Sequence, residues 1–306
     1  MRPLKYDIEI ISAPSILGLR SNGVEQLGES LLASGLAEKL KYTQPVIHVP
    51  TLNHLYNKKR DKRTNCLNPE TIRDFSLTLS KTVGDAINKE HFAFVLGEDC
   101  SILLGIMPAL KAKGKYGLVF IDAHADFYEP EKSETGEVAD MDLAIVTGRG
   151  PEILTNINNL QPYVTDENVI HIGQRDWEET KKFGSQDIRD TIIKCVSLAD
   201  IEKNGIEKIT NHVLQHIEQI EVAGFWIHFD TDVLPDEINP AVDYRIPGGL
   251  LFEQAEYLIQ NLLVTGRMAG ISVTIYNPRL DKTGSISKNI AESLGRAFDM
   301  SGANKF

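Results

Sequence analysis

Asp122, His124 and Asp126 occupy alternate positions in GLVFIDAHADF, directly behind an apolar run. If the backbone stays extended past that run, its period of two points all three side chains to one face. A second apolar run, GFWIHF, ends in Asp230-Thr231-Asp232. Should the two runs be neighbouring strands, four carboxylates and an imidazole meet in one cleft. That much buried negative charge is costly unless something neutralises it. A pair of divalent ions sharing carboxylates, with water or hydroxide between them, would do so and would also hydrolyse bonds. The plainer alternative is a polar turn whose Asp residues cap a following helix. A third segment, Gly97 to Ser101 (GEDCS), follows the run FAFVL and sets Cys100 at the mouth of a helix starting near Ser101. A thiol there loses its proton more readily beside a metal; the alternative is an inert Cys packed behind the site.

The elements that must position these groups are legible as an alternation of short apolar runs and helical periodicities. Strands are expected at Tyr6 to Ser12, from Pro45, Phe92 to Leu96, Gly117 to Ile121, from Asn168, from Lys194, Gly224 to Phe229 and Gly270 to Ile275. Most are continuously apolar, as parallel strands covered on both faces are. Helical spacing recurs at Val24 to Leu40, Glu70 to Ile87, Ile206 to Ile217, Phe252 to Leu263 and Ile286 to Phe298. The pattern predicts an α/β protein, a parallel sheet of about eight strands with helices on both faces, whose ligands bind at the carboxyl edge. No linker or repeat divides residues 1–306, so one domain is expected.

Composition excludes some partners. Lys and Arg number 32 against 43 Asp and Glu, a formal charge of -11. That field repels phosphate backbones, so no nucleic acid is expected. No apolar run approaches the ~18 residues of a membrane span, and no signal-peptide pattern opens the chain. Three scattered cysteines make no disulfide framework. A cytoplasmic protein is expected. The alternation would also suit a nucleotide-dependent oxidoreductase, but no strand-linked G-x-G-x-x-G is present.

Taken in order, Gly97-Glu98-Asp99-Cys100-Ser101, Asp122-Ala123-His124-Ala125-Asp126, Asp230-Thr231-Asp232 and Pro247-Gly248-Gly249-Leu250 resemble the ureohydrolase family of arginase, agmatinase and formimidoylglutamase. APSILGLRSNGVE, HIGQRD around His171 and YNP at Tyr276 are further landmarks, so the resemblance runs across nearly the whole chain. It implies a three-layer α/β/α sandwich, a homo-oligomer, and a two-manganese centre. Asp122 and Asp230 would bridge the ions; Cys100 and Asp126 would complete one site, His124 and Asp232 the other. A metal-bridging hydroxide would attack a guanidinium or amidine carbon, with Asp126 orienting it.

Three departures from that family matter. Cys100 stands where the family has His, and a softer thiolate favours zinc or another borderline metal over manganese. Ala139 replaces the proton-shuttle His, with Asp140 and Asp142 beside it; Asp142 or Asp140 is a candidate substitute proton carrier, with helix N-capping by one of them an equal alternative. Ile275 aligns with the glutamate that holds the guanidinium. Arginine is therefore a doubtful substrate. The acidic stretch Phe127 to Asp142, with Glu137 and Asp140 as candidate binding residues, could receive a cationic small molecule or be an ordinary solvated loop. The expected function is metal-dependent hydrolysis of a linear C–N bond of amidino, guanidino or amide type. The alternative is a catalytically degenerate relative that binds a metabolite or partner.

Other residues carry plainer expectations. His48, His171 and His228 sit in strand patterns and read as core histidines, and Arg175 with Asp176 as a structural ion pair. His212 and His216 read as a surface pair, and Lys58 to Asn68 as a solvated basic turn.

Overall fold

A computed structural model describes residues 6–20 and 22–299. The apolar runs form eight strands: β1 (Ile8–Ala13), β2 (Ile47–His48), β3 (Phe92–Gly97), β4 (Tyr116–Ile121), β5 (Val169–Gln174), β6 (Lys194–Ser197), β7 (Gly224–Asp230) and β8 (Met268–Thr274). All pair in parallel, in the order β2-β1-β3-β8-β7-β4-β5-β6. Every residue of β3 and β7 is buried, which is why these runs show no polar alternation.

Successive side chains of β7 separate onto the two faces. Phe225, Ile227 and Phe229 join one core with the helices Ile206–Gln219, Phe252–Val264 and Ser285–Phe298. Trp226 joins the other, with the helices Pro69–Asn88 and Leu103–Lys111. The sheet is thus the middle of three layers. No helix among the described residues is long and apolar enough to cross a membrane.

Three expectations change. The Val24 to Leu40 periodicity does not make one helix: a 3-10 turn at Val24–Gln26 leads into Leu27–Ala33, and Gly35 at φ 82° breaks the chain before Leu36–Lys39. Gly tolerates that left-handed conformation, which halts the helix. His48 is exposed, not a core histidine, because β2 is a two-residue edge strand. The basic turn is solvated only in part: Lys58, Lys59, Lys62 and Arg63 are exposed, whereas Cys66, Leu67 and Asn68 are buried and Arg60 donates to the Ser133 and Pro130 carbonyls, strapping the acidic loop.

Candidate metal centre

The carboxyl ends of β3, β8, β7 and β4, the four central strands, converge on one buried cluster. On β7, Trp226, His228 and Asp230 share a face. In the neighbouring strands Phe120 pairs with His228, Ser272 with His228, and Thr274 with Asp230. Asp122 lies two residues beyond Phe120, so Asp122 and Asp230 leave adjacent strands side by side.

Neither strand stays extended past its end. Asp122 Oδ1 accepts the His124 N–H at 2.6 Å, and Asp230 Oδ1 accepts the Asp232 N–H at 2.7 Å. Each carboxylate thereby folds its own chain into a tight turn. These matching turns, not period-two geometry, bring His124 and Asp232 together: His124 Nδ1 lies 2.9 Å from Asp232 Oδ2 and 3.7 Å from Asp122 Oδ1. The turn carrying His124 is further pinned, Ala123 N donating to Asp232 Oδ1 and Ala125 N to Asp176 Oδ2. Asp176 is therefore a backbone anchor. Arg175 donates to the carbonyls of Asp232 and Ile246, so the expected Arg175–Asp176 ion pair is replaced by two separate clamps.

Two groups of donor atoms lie within 4.8 Å of one another: Cys100, Asp122, His228 and Asp230; and Asp122, His124 and Asp232. Cys100 is delivered by the turn after β3, where Asp99 accepts the Ser101 and Gly18 N–H groups. Its Sγ lies 2.9 Å from Asp230 Oδ2 and 3.3 Å from Thr274 Oγ1. His228 is a buried core histidine, as expected, its Nδ1 2.9 Å from Ser272 Oγ, and its ring also lies among the donors of the first group. In sequence, His228-Phe229-Asp230-Thr231-Asp232 repeats the every-second-residue pattern of residues 122 to 126. Asp126 joins neither group. It sits at φ 44°, beside Asp142.

The electrostatics are those of a cation site. Burial, then Asp232, pushes Asp122 up to about 7. Burial and like charges also raise Asp126, Asp142 and Asp230 well above the carboxylate range. Burial opposes charge on His124, yet Asp232 and Asp122 hold it well above a free imidazole. Asp122 Oδ2 and both oxygens of Asp142 are buried without a hydrogen-bond partner. Such orphaned acceptors, shared among carboxylate, imidazole and thiol donors, fit divalent ions.

Glu137 and Asp140 turn inward and do not present themselves to a substrate. Glu137 accepts from the Arg20 N–H and the Tyr244 hydroxyl, each at 2.6 Å; Asp140 accepts from Ser133 and Thr135. The Gly136 turn and Arg60 fold this segment back on itself, so its acids latch the loop. His171 is a core histidine, as expected, its Nε2 2.7 Å from the His124 carbonyl. His212 is exposed and His216 half-buried.

Ala139 and Ile275 sit with Cys100 in one apolar cluster that also contains Ile16, Leu19, Val24 and Val242. Ile275 is held at φ 69°, a strained conformation for a β-branched residue.

Known proteins share the sequence family and the fold. A family model described as "Arginase family" matches residues 7–299. The arginase of Staphylococcus aureus (strain COL) is 29% identical over 298 residues, covering 95% of this chain and 96% of that protein. Among solved structures, the arginase of Bacillus caldovelox superposes with a TM-score of 0.85 at 23% identity, over 96% of this chain and 99% of that one. Formimidoylglutamase from Bacillus subtilis subsp. subtilis str. 168 superposes with a TM-score of 0.70 at 16% identity, over 98% and 88%. These two structural likenesses establish the fold, a three-layer α/β/α sandwich; the family match, over nearly the whole length, establishes more. The chain belongs to the arginase family, whose members are hydrolases that break C–N bonds with metal ions.

Proposed function

We propose that the protein hydrolyses a linear C–N bond in a small molecule other than arginine, of amide type, with two divalent ions. The observation carrying this reading is the pair of donor groups that share Asp122. Asp122 is common to both groups, Cys100 and Asp230 would serve one ion, and His124 with Asp232 would serve the other. When bound, the ions lower the pKa of water towards neutrality and polarise the electrophilic carbon's substituent.

The chain's own groups do the rest. His124, with 20% of its side chain exposed, marks where the cluster opens to solvent. Burial and neighbouring carboxylates raise both Asp126 and Asp142 well above the usual carboxylate range, which favours the protonated acid at this place. We assign Asp142 to carry that proton to the departing amine, in place of the histidine that Ala139 replaces, and Asp126 to orient the attacking water. Ala139 and Ile275 present apolar surface beside Cys100, and an apolar wall leaves a guanidinium unpaired. A cavity of about 650 Å³, lined partly by Arg20, Glu25 and Lys58, shares Ile16 with that cluster and could seat a polar tail of the substrate. By likeness to the family, the working form is a cytoplasmic homo-oligomer.

The test is turnover of an amide, amidine and guanidine panel after manganese or zinc loading. Asp122→Asn and Asp230→Asn each abolish turnover on this account. Full activity in both would refute it.

A further inference from the structure

Cys100 leaves one ion without the imidazole that a family histidine would bring. The described structure supplies another imidazole at the same place from a different strand. His228 reaches the group formed by Cys100, Asp122 and Asp230 from the middle of the sheet, and all four residues are buried. We infer that His228 is a metal ligand through Nε2, giving a mixed site of one thiolate, one imidazole and two carboxylates that selects zinc or cobalt over manganese. This rests on the proposal of a two-ion centre.

Three observations carry the inference. The first is distance. Donor atoms around one ion, at about 2.0 Å for nitrogen and oxygen and about 2.3 Å for sulfur, cannot be more than roughly 4.6 Å apart. The four residues offer donor atoms within 4.8 Å of one another, so a small relaxation gathers them. The second is orientation. His228 Nδ1 lies 2.9 Å from Ser272 Oγ, its cross-strand partner, which also accepts the Trp226 indole N–H at 3.0 Å. With Nδ1–H donating to that hydroxyl, the Nε2 lone pair is left on the Thr274 side, 3.4 Å from its Oγ1, and Thr274 Oγ1 lies 3.3 Å from Cys100 Sγ. Ligating histidines are held in this way, the second ring nitrogen donating to a fixed outer partner. The Phe120 ring, stacked on the imidazole at 4.7 Å and 14°, fixes its plane. The third is an unmet acceptor. Asp122 spends Oδ1 on the His124 N–H, while Oδ2 is buried with no partner.

Softness decides the metal. Thiolate and imidazole together favour zinc or cobalt, whereas an all-oxygen and imidazole set suits manganese. The second position, with His124 and two carboxylates, keeps the harder donors. The two positions are therefore expected to differ in preference.

X-ray absorption on the whole zinc-loaded protein reads the ligands without any variant. The inference predicts about one sulfur and two imidazoles per pair of ions, with zinc–sulfur near 2.3 Å. Ser272→Ala, which leaves the ligand in place but removes its outer partner, is expected to weaken one of the two cobalt-binding steps by about 10- to 100-fold. Cys100→His is expected to remove the thiolate-to-cobalt charge-transfer band and raise the manganese preference of that step. Two bound ions with a single imidazole between them would overturn the role of His228 and leave the hydrolase reading standing. No bound ion under zinc, cobalt or manganese would overturn both.

Discussion

Replacing Asp122 by Asn is expected to stabilise the metal-free protein while abolishing its response to metal. Asp122 is fully buried, and burial with the nearby Asp232 pushes it from 3.8 up to about 7. In the metal-free protein the folded state therefore binds more protons than the unfolded chain between about pH 4 and 7, and stability falls as pH rises through that window. Above it the charged carboxylate costs about three pH units at ~1.4 kcal/mol each, or ~4 kcal/mol. An Asn keeps the volume, and its oxygen can still accept the His124 N–H. His124 loses a carboxylate at 3.7 Å but keeps Asp232 at 2.9 Å, so some of the gain is returned. A net stabilisation of roughly 2–4 kcal/mol at pH 8 corresponds, for a chain of this length, to a Tm higher by roughly 3–6 °C. Calorimetry of chelator-treated protein at pH 5 and pH 8 reads this directly. The Asp122→Asn variant is expected to gain most at pH 8, little at pH 5, and nothing further from zinc or manganese. Wild-type protein is expected to gain about 3 kcal/mol for each ion bound at a hundredfold excess of metal over Kd. A variant less stable than wild type without metal at pH 8, or one still stabilised by metal, would refute the reasoning.

Other predictions follow from the same geometry. Asp142→Asn is expected to lower kcat by about 100-fold with metal content unchanged, and to alter the pH profile of kcat; an unaltered profile would remove Asp142 from proton transfer. Tyr244→Phe deletes the hydroxyl bonded to Glu137 and is expected to cost about 2 kcal/mol of stability without changing KM. A large KM change would return Glu137 to the substrate site. Arginine is expected to show a kcat/KM at least about 100-fold below the best uncharged substrate, because Ile275 and Ala139 leave its cation unpaired; comparable values in a substrate screen would contradict the apolar pocket.

Much of the sheet was legible because parallel strands buried on both faces announce themselves as apolar runs. Phe92–Gly97 and Gly224–Asp230 fall within one residue of expectation at each end. The helix Pro69–Asn88 was equally plain, with its proline at the start and its amphipathic repeat. Asp122, His124, Asp230 and Asp232 could be grouped from spacing alone, although the reason offered was incomplete. Carboxylate-to-backbone bonds at the strand ends, invisible in a pattern of residue types, fold the turns that join them. His228 is core, as a histidine within GFWIHF suggests, but its nearness to Cys100, Asp122 and Asp230 depends on cross-strand neighbours that the run itself does not reveal. The acids of the 127 to 142 loop misled for the opposite reason. Charge in a sequence suggests solvent or substrate, but Glu137 is held by Arg20 and Tyr244, both more than a hundred residues away, and Asp140 by Ser133 and Thr135 across the fold of its own loop.

The most direct test of the central claim is metal stoichiometry with reversible chelation, measured on purified protein before and after manganese and zinc loading. About two tightly held ions per chain, with C–N hydrolysis lost on chelation and restored by metal, is the predicted result. Near-zero metal under every loading, or hydrolysis indifferent to chelation, would contradict it.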